Sequence, residues 1–354
     1  MTSSGISHKQ RIFDAVNHKV MGRFPVQIDF SPAALEKYLR YLGLEVKSEL
    51  QLLETFDNHL VYAYKNDVFR KTRRREIPES RYVTDEWGVS WDCSQEGTSF
   101  SNHPLTDIRE YKNYKYPDPY SDEIMEGVSD IVSEYSDEYA VSSYQVLCLF
   151  ERCWSLRGFE NFLIDLIDES DFAHELLDRV TEYQIVIAKR WIDSGINVAR
   201  TGDDYGGQSG MLMSPELWRR MIKPRLKRIW DVYKAAGLPL MHHTCGDVRP
   251  IIPDFIEMGL DVLNNVQSET MPIEELSEMY GDKLTFYGGI SSQLVLSTKS
   301  PAEVKKDVRK VIDILGKHRA LIIAPSVAIT SDVSIENIDA LMDAIREYNV
   351  DIIV

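Results

Sequence analysis

The sequence has few cysteines and no long apolar run. Four cysteines occur in 354 residues, and their scattered positions give no disulfide framework: Cys93, Cys148, Cys153 and Cys245. No apolar run reaches the ~18 residues that a membrane-spanning helix requires. Residues 1–11 also lack the basic and then apolar pattern of a secretion signal. We therefore expect a cytoplasmic protein in a reducing compartment.

Positive charge is scarce as well. The chain has 40 Lys and Arg residues against 56 Asp and Glu residues, so its formal net charge is −16. An acidic chain is a poor candidate for binding the phosphates of nucleic acid or an anionic membrane surface. Apolar residues (44%) and charged residues (27%) occur in the proportions of a folded globular protein. We therefore expect neither nucleic acid nor a membrane as a partner.

Helices that end at glycine alternate with short apolar runs through the second half of the chain. The closing glycines are Gly195, Gly237, Gly259, Gly281 and Gly316. The runs that follow them are 196–200, 238–243, 261–266, 283–287 and 320–325. Glycine closes a helix because it adopts the left-handed conformation, and such apolar runs are typical of strands covered on both faces. This alternation predicts a parallel sheet.

Two further apolar runs lie in the first half, at 24–29 and 139–144. Seven predicted strands, with one or more still hidden, favour a closed (β/α)8 barrel over an open doubly wound sheet. No Gly-x-Gly-x-x-Gly turn follows any of these runs, which weakens the dinucleotide-binding alternative. We predict an α/β protein with one barrel domain over residues 1–354 and N-terminal helices packed against it.

Residues 67–120 interrupt this alternation. The segment contains a basic cluster at 71–75, then β-forming residues around Trp87 and Trp91, and it ends among prolines. We interpret it as a strand-containing insertion that covers one end of the barrel. The basic cluster is either a solvated loop or a site for an anionic ligand, and the sequence leaves both interpretations open.

Two predicted strands lead into side chains that could carry chemistry, and functional groups of such a barrel gather at the carboxyl ends of its strands. Asp203 and Asp204 lie among glycines, and acids are costly to bury unless they bind a metal, a cation or a proton. His243 and Cys245 are two residues apart on an extended chain, so they share a face, and zinc prefers imidazole and thiolate. The alternatives are acids that shape a loop, a hydrogen-bonded barrel histidine and a buried thiol.

The other predicted strands end in polar or small side chains, as a ligand pocket requires. These are Asp29, Tyr144, Asn264, Gln267 and Tyr287. Glu151 follows the run 139–144 and is a further titratable candidate near the same barrel end.

Several segments jointly resemble one known superfamily. They are Arg23-Phe24-Pro25-Val26, Phe150-Glu151-Arg152, residues 156–161, Asp203-Asp204-Tyr205-Gly206, Ser214-Pro215, Ile222-Lys223-Pro224, residues 243–250, the strand at 261–267, Ala324-Pro325 and Glu336-Asn337. With them the chain resembles the uroporphyrinogen decarboxylase superfamily, which includes corrinoid-dependent methyltransferases. The resemblance covers most of the chain and implies a single (β/α)8 barrel. It also implies a two-fold homodimer.

Two chemistries compete within this superfamily. The decarboxylases follow the first strand with an arginine-rich segment that binds the carboxylates of the substrate. The corresponding segment here, 27–33, has no arginine and contains Asp29, which would repel a carboxylate-rich tetrapyrrole. The decarboxylases also carry a histidine after the last strand, where this chain has Val327. The resemblance therefore disfavours uroporphyrinogen as the substrate.

The methyltransferase branch implies a zinc ion held by His-x-Cys and a late cysteine. His243 and Cys245 match the first two ligands, and Val327 stands where the late ligand is expected. A valine cannot bind a metal, so either another residue completes the site or zinc is not bound. Carboxylates also bind zinc, and the candidate substitutes are Glu151, Asp203 and Asp204.

The first functional hypothesis is a methyltransferase. It moves a methyl group between a small molecule, such as a thiol or a methoxy compound, and a corrinoid on a separate carrier protein, with zinc as a Lewis acid. The predicted catalytic residues are Asp203, Asp204 and Glu151. The predicted substrate-binding residues are Asp29, Tyr144, Arg200, Tyr205, Gln208, Asn264, Gln267 and Tyr287.

Two alternatives remain open. One is a decarboxylase or related lyase for a small acidic substrate, with Arg200, Arg249 or the 71–75 cluster as the anchor of the anion. The other is a non-catalytic binding protein that kept the barrel and lost the metal, as Val327 suggests. Bound zinc favours the methyltransferase.

Overall fold

The computed structural model describes residues 5–20, 22–64 and 81–349, and the basic cluster 71–75 lies outside them. The strands are β1 (Leu60–Tyr62), β2 (Tyr82–Thr84), β3 (Ser90–Gln95), β4 (Gly97–Asn102), β5 (Ala140–Ser142), β6 (Ala199–Gly202), β7 (Gly206–Gly207), β8 (Gly210–Met211), β9 (Leu240–His243), β10 (Val262–Val266), β11 (Thr285–Ile290) and β12 (Leu321–Pro325).

The α-helices are α1 (His8–Val16), α2 (Pro32–Leu42), α3 (Glu49–Phe56), α4 (Val128–Tyr135), α5 (Phe150–Arg157), α6 (Phe159–Ile167), α7 (Asp171–Asp193), α8 (Pro215–Met221), α9 (Lys223–Ala235), α10 (Ile252–Glu257), α11 (Ile273–Tyr280), α12 (Pro301–Leu315) and α13 (Ile335–Tyr348). Short 3₁₀ segments are Ile108–Asn113, Asp122–Met125, Arg249–Ile251 and Gly316–His318, and Ser292–Leu296 is a π-helical turn. None of the described helices is long and apolar enough to cross a membrane.

Eight parallel segments close into a barrel. Five strands pair in the order β12, β11, β10, β9 and β6, and β1 pairs with β5. A backbone bridge from Ser142 to Val198 joins β5 to β6. The eighth member is the chain around Val26, which bridges both Asn58, just before β1, and Ile323 of β12. This ring confirms the predicted (β/α)8 architecture.

All seven predicted runs contribute to this ring. The run 24–29 joins it through isolated bridges rather than through a regular strand. The hidden member is β1, which has only three residues and lies four residues after the end of α3. That helix ends at Asp57 in the left-handed conformation rather than at a glycine. The glycine that closes the other predicted helices is therefore missing from the sequence between α3 and β1.

Alternation along β9 decides which side chains enter the barrel. His242 packs outward against the helices, with its ring centroid 5.1 Å from that of Trp230. Its neighbour His243 therefore points into the barrel, because successive side chains of a strand alternate. The register continues this pattern, since His243 lies opposite Gly202 of β6 and Asn264 of β10.

Helix starts follow the local capping signals. The side chains of Ser214 and Ser300 each accept a hydrogen bond from a backbone N–H of the first turn, and Glu303 completes a capping box at Ser300. The longest of the described helices, α7, has buried apolar residues at helical spacing, and with this stripe it packs against α9. The helices that surround the barrel are thus specified locally as well as by packing.

The antiparallel sheet of β2, β3 and β4, the covering sheet, lies at the carboxyl end of the barrel. Glu96, in the turn between β3 and β4, accepts hydrogen bonds from the side chains of Ser31 and Ser331, which follow the first barrel segment and β12. The ring of Phe100 packs on that of Trp154 in α5, with centroids 4.3 Å apart. The described part of the predicted insertion thus contains strands and lies over the carboxyl end of the barrel, an end that the sequence did not specify.

Candidate metal centre and active site

The carboxyl ends of β6 and β9 bring three potential metal ligands together, the mouth cluster (Asp204, His243 and Cys245). Each residue offers one ligand atom, and these atoms lie within 4.8 Å of one another. His243 Nε2 is 3.6 Å from Cys245 Sγ and 3.9 Å from Asp204 Oδ1. The donors of a tetrahedral zinc ion are roughly 3.5 Å apart, because its bonds are about 2.0–2.3 Å long. The separations in the mouth cluster therefore suit zinc.

Neighbouring groups fix the orientation of the mouth cluster. His243 Nδ1 lies 2.8 Å from Asn264 Oδ1, which can only accept a hydrogen bond. The ring therefore carries its proton on Nδ1 and directs the lone pair of Nε2 toward the thiol and the carboxylate. The backbone N–H of Cys245 donates to Asp204 Oδ1 at 2.7 Å, and Asn265 hydrogen-bonds the thiol. Such contacts are typical of the residues that support a metal site.

Two glycines allow the loops after β6 and β9 to touch. A Cβ added to Gly206 would lie 2.7 Å from the carbonyl oxygen of Cys245. A Cβ added to Gly246, whose φ is +79°, would lie 2.2 Å from the backbone of Gly206. Neither position has room for a side chain. The close approach of these loops holds Asp204 against Cys245.

The surroundings of Cys245 disfavour a free thiolate. Burial raises the pKa of the thiol well above its usual value, and the charges of Asp204 and Glu151 raise it further. A metal ion would remove this cost because it binds the thiolate and offsets the charge of the carboxylate. One nitrogen, one sulfur and one oxygen donor form a set that zinc accepts. The residues present therefore fit the predicted ion.

Asp203 is turned away from the mouth, although it is adjacent to Asp204. Its carboxylate accepts the backbone N–H groups of Leu149 at 2.7 Å, of Phe150 at 3.3 Å and of Glu151 at 2.9 Å. Burial raises the pKa of Asp203 to about 7, against these hydrogen bonds, which favour the charged form. Asp203 is one of the predicted catalytic residues, whereas in the structure its carboxylate holds the start of α5.

Glu151 lies beside the mouth cluster at the start of α5. Burial raises the pKa of its carboxyl well above the usual value, and the charges of Asp204 and Asp203 add to the shift. The backbone N–H of Asp204 donates a hydrogen bond to it. The upward shift favours the protonated carboxyl, which is the form that a general acid requires. Its environment suits a catalytic role better than that of a third zinc ligand.

Val327 occupies the expected position of the late ligand, after β12. Asn265 links this segment to the cluster, because its amide donates to the carbonyl oxygen of Ser326 and also contacts Cys245. Ser292 hydrogen-bonds both the N–H and the carbonyl oxygen of Val327. The third potential donor therefore comes from β6, through Asp204, and not from β12.

Polar and aromatic side chains meet inside the barrel around Tyr62. Its hydroxyl donates to Asp29 Oδ2 at 3.1 Å and lies 2.9 Å from the hydroxyl of Tyr287. The guanidinium carbon of Arg200 is 4.9 Å from the ring centroids of both Tyr62 and Tyr144. Four predicted residues are thus brought together. Tyr62 is not among the predicted residues, because it belongs to the hidden strand β1.

The structure places three other predicted residues differently. Tyr205 is fully buried and donates to Asp203 Oδ2 at 3.1 Å, so it supports the loop and does not line a pocket. Gln208 is exposed in the turn between β7 and β8. The side-chain oxygen of Gln267 accepts the N–H of Gly246 and thereby orders the loop that carries Cys245. Only the strand position of these residues was visible in the sequence.

Comparison with known sequences points to one family. A family model described as uroporphyrinogen decarboxylase (URO-D) matches residues 83–348. Uroporphyrinogen decarboxylase of Rickettsia bellii is 22% identical over 255 residues, which cover 69% of this chain and 72% of that enzyme. The enzyme of Magnetococcus marinus is 24% identical over 184 residues, which cover 51% of this chain and 50% of that protein. This chain thus spans only about half the length of some of its curated relatives.

Comparison with solved structures supports the same architecture. A methyltransferase from Methanosarcina mazei superposes with a TM-score of 0.72, over 97% of this chain and 99% of the other. The two sequences are 18% identical, so this likeness concerns the fold.

Proposed function

The chain belongs to the uroporphyrinogen decarboxylase family, and from that premise we propose that it is an enzyme that moves a methyl group between a small molecule and a corrinoid. The mouth cluster would hold a zinc ion, and the corrinoid would be presented by a separate carrier protein. The observation that carries this proposal is the approach of Cys245, His243 and Asp204 within 4.8 Å at the carboxyl ends of two barrel strands.

A zinc ion at this position supplies Lewis acidity, which lowers the pKa of a bound thiol or polarises a methoxy oxygen. The residues of the chain supply the rest. Asn264 fixes the tautomer of His243, and Asn265 orients the thiol of Cys245. Glu151, whose raised pKa favours the protonated carboxyl, would be the general acid that protonates a leaving group beside the cluster. Asp203 keeps Glu151 in place through its backbone N–H.

The barrel interior would bind the remainder of the small molecule. Asp29, Tyr62 and Tyr287 form a hydrogen-bonded chain, and the guanidinium of Arg200 lies against two tyrosine rings. A buried polar group without a hydrogen-bond partner costs free energy. Groups of this kind therefore favour the one ligand orientation that supplies their partners. We assign the predicted substrate-binding role to Asp29, Tyr144, Arg200 and Tyr287, with Tyr62 added.

The second candidate function is decarboxylation of an acidic substrate, which the curated relatives favour. Arg200 is the residue on which such an enzyme would depend, because it is a guanidinium inside the barrel. Arg249 does not serve as well, since it forms ion pairs with Asp247 at 2.7 Å and with Glu275 at 2.6 Å. Asp29 adds a negative charge to the same interior, which opposes a substrate with several carboxylates. The methyltransferase remains our proposal for this reason.

Methyl transfer can be tested directly. Zinc-loaded protein is mixed with cob(I)alamin or methylcobalamin and with thiols, methoxy-aromatic compounds, methylated amines or tetrahydrofolate, and the cobalamin spectrum is followed. We expect a change of cobalamin state with at least one class of small molecule, and its loss in Cys245→Ala. Uroporphyrinogen is the parallel substrate, with porphyrin products separated by chromatography. Turnover of uroporphyrinogen without methyl transfer would establish the decarboxylase instead, and inactivity in all assays without bound zinc would favour a binding protein.

Homodimer formation and a corrinoid protein as partner also belong to this proposal. Light scattering at micromolar protein concentration tests the first, and a monomer would contradict it. The second requires the carboxyl end of the barrel to accept another protein beside the covering sheet, so addition of a corrinoid carrier should accelerate transfer over free cobalamin.

A further inference from the structure

The small-molecule site assigned inside the barrel lies under the covering sheet. Tyr287 is 3% exposed. Its neighbours in the site are partly buried as well: Asp29, Tyr62 and Tyr144. In the ring, the first barrel segment neighbours β1, and β1 neighbours β5. The covering sheet bridges this arc, because one of its ends contacts Ser31, just after the first segment, and another part contacts α5, which follows β5. The sheet therefore lies across a route into the barrel interior.

One end of the covering sheet is held by buried contacts of Asp85, in the turn between β2 and β3. Its carboxylate accepts the N–H groups of Trp87 and Val89, both at 3.0 Å, and the indole N–H of Trp91 at 3.2 Å. It also pairs with Arg152 of α5 at 2.8 Å, with both side chains almost fully buried. Trp87 and Trp91 are each 2% exposed. Separation of this end would leave a buried guanidinium without its partner, which is costly.

The other end of the covering sheet is the turn between β3 and β4, where the exposed Glu96 contacts the rim of the barrel. Its carboxylate accepts the hydroxyl groups of Ser31 and Ser331, and the backbone N–H of Ser331 at 3.0 Å. The two serines lie where the first barrel segment meets the chain after β12, since Phe30 bridges Ile329 there. Hydrogen bonds of an exposed carboxylate are exchanged for hydrogen bonds to water at a small net cost. The contacts of Glu96 are therefore easier to release than those of Asp85.

We propose that Glu96 is a releasable clasp: the β3–β4 turn opens away from the barrel rim and admits the small molecule, while the end at Asp85 stays in place. The moving part is the turn and the adjoining ends of β3 and β4. Phe100 of β4 packs against Trp154 with ring centroids 4.3 Å apart, and this contact marks the limit of the moving part. Opening of this kind is a local equilibrium, with a free energy below that of global unfolding. The identity of the entering ligand rests on the proposed function, whereas the opening itself does not.

Hydrogen exchange followed by mass spectrometry tests the clasp in the full chain. Glu96→Ala removes the acceptor of these hydrogen bonds, so backbone amides of the β3–β4 turn should exchange about tenfold faster. Amides around Asp85 should exchange at the parent rate. Glu86→Ala is the matched control, because Glu86 is an exposed carboxylate in the turn at the fixed end, and it should change neither region. Unchanged exchange of the β3–β4 turn in Glu96→Ala would overturn the proposal.

Labelling of an interior position tests whether the clasp controls access. Asp29→Cys introduces a thiol into the site, and its reaction with N-ethylmaleimide is followed by peptide mass spectrometry, which separates it from the native cysteines. With Glu96→Ala added, labelling should accelerate about tenfold, in proportion to the open population. With Glu86→Ala added, the rate should not change. Equal rates in the three proteins would show that the interior is reached by another route and would overturn the proposal. The exchange experiment does not use Asp29→Cys, so it decides the question if that variant does not fold.

The two proposals fail separately. Methyl transfer with an unchanged labelling rate would overturn the clasp and leave the proposed function intact. Faster labelling in a protein that transfers no methyl group would retain the clasp and overturn the proposed function.

Discussion

The two ends of the barrel each bring three potential metal ligands within 4.8 Å, and they differ in what surrounds them. At the carboxyl end is the mouth cluster. At the amino end is the base cluster (His8, Asp57 and His59). In the base cluster, Arg23 pairs with Asp57 at 3.0 Å, and Glu138 lies 2.7 Å from His8 Nδ1. In the part of the chain that the structure describes, no lysine or arginine forms an ion pair with the Asp204 carboxylate.

Protonation also separates the two ends. Burial lowers the pKa of His8, but Asp57 and Glu138 outweigh it, and the net shift is upward. This shift favours the charged form of the His8 ring. Burial lowers the pKa of His59 to about 4, so this ring stays neutral. The base cluster thus has the guanidinium of Arg23 beside its carboxylate, in the place where a metal would provide positive charge.

This comparison shows that proximity of donors does not by itself indicate a metal. The base cluster is a network of ion pairs that fixes α1 to the barrel. The mouth cluster combines a carboxylate, a raised thiol pKa and an oriented imidazole without an arginine partner, and a metal ion would complete it. The following experiments separate the two ends, in order of expected effect.

The largest effect should come from Cys245→Ala. We expect loss of essentially all bound zinc, from about one ion per chain, because the thiolate is the strongest donor of the set. The zinc-free protein should melt at nearly the same temperature as the zinc-free parent. Elemental analysis and thermal unfolding measure the two quantities. His8→Gln in the base cluster is the matched control and should retain its zinc. Loss of zinc in His8→Gln would mean that the ion binds at the wrong end for our proposal.

Substitution of the adjacent residues Asp203 and Asp204 should affect different properties, stability in the first case and zinc binding in the second. Asp203→Asn should destabilise the fold by about 2–4 kcal/mol, because a buried acceptor of charged hydrogen bonds becomes partly unmatched. Asp204→Asn keeps the acceptor for the N–H of Cys245 but loses the charge, so it should weaken zinc binding and leave stability nearly unchanged. Urea unfolding of the metal-free variants measures the first effect and zinc titration the second. Equal stability of the two variants would contradict the assigned role of Asp203.

Asn264→Ala should weaken zinc binding by about 10- to 100-fold, because His243 loses the partner that orients its ring. Asn264→Asp retains an acceptor at the same position and should restore most of the affinity. Competition with a chelator of known affinity gives the ratio. Unchanged binding in Asn264→Ala would show that His243 is not a ligand. Neither variant should affect the base cluster.

The smallest effect concerns the base cluster and acid pH. His59 has a folded pKa of about 4 and an unfolded value near 6.5, so the unfolded chain binds the proton first as pH falls. Its contribution to stability should be lost as pH falls from about 6.5 toward 4, by about 1–2 kcal/mol at pH 5. The upward shift of His8 acts in the opposite direction and is lost as pH rises through its folded pKa.

Urea unfolding at neutral and acid pH measures this dependence. His59→Gln should flatten it, whereas the partly exposed His174→Gln should not. An unchanged pH dependence in His59→Gln would show that the buried histidine is not the responsible group.

Short sequence patterns predict much of the fold. The caps at Ser214 and Ser300 and the stripe of α7 predict helices at their observed places, because each signal acts within one or two turns. The approach of Asp204 to His243 also follows from sequence, since parallel strands deliver their carboxyl ends to the same edge.

The remainder depends on register and on distant neighbours. Nothing local distinguishes Asp203 from Asp204. Their opposite directions follow from the pairing of Gly202 with His243, which only the closed barrel sets. Tyr62 could not be predicted as a barrel residue because its strand has only three residues and no flanking glycine. The role of Gln267 likewise depends on a contact with the loop after another strand.

The buried pair of Arg152 and Asp85 has a consequence for how this protein can diversify. Arg152 follows Glu151 in α5, and Asp85 belongs to the turn between β2 and β3. A chimera that exchanges the covering sheet alone would leave the buried guanidinium of Arg152 without its carboxylate partner. This loss would lower the free energy of unfolding by several kcal/mol. The covering sheet and α5, the helix that carries the candidate acid Glu151, should therefore be exchanged together. A covering sheet taken from a relative should give a stable chimera only when residue 152 is taken from the same relative.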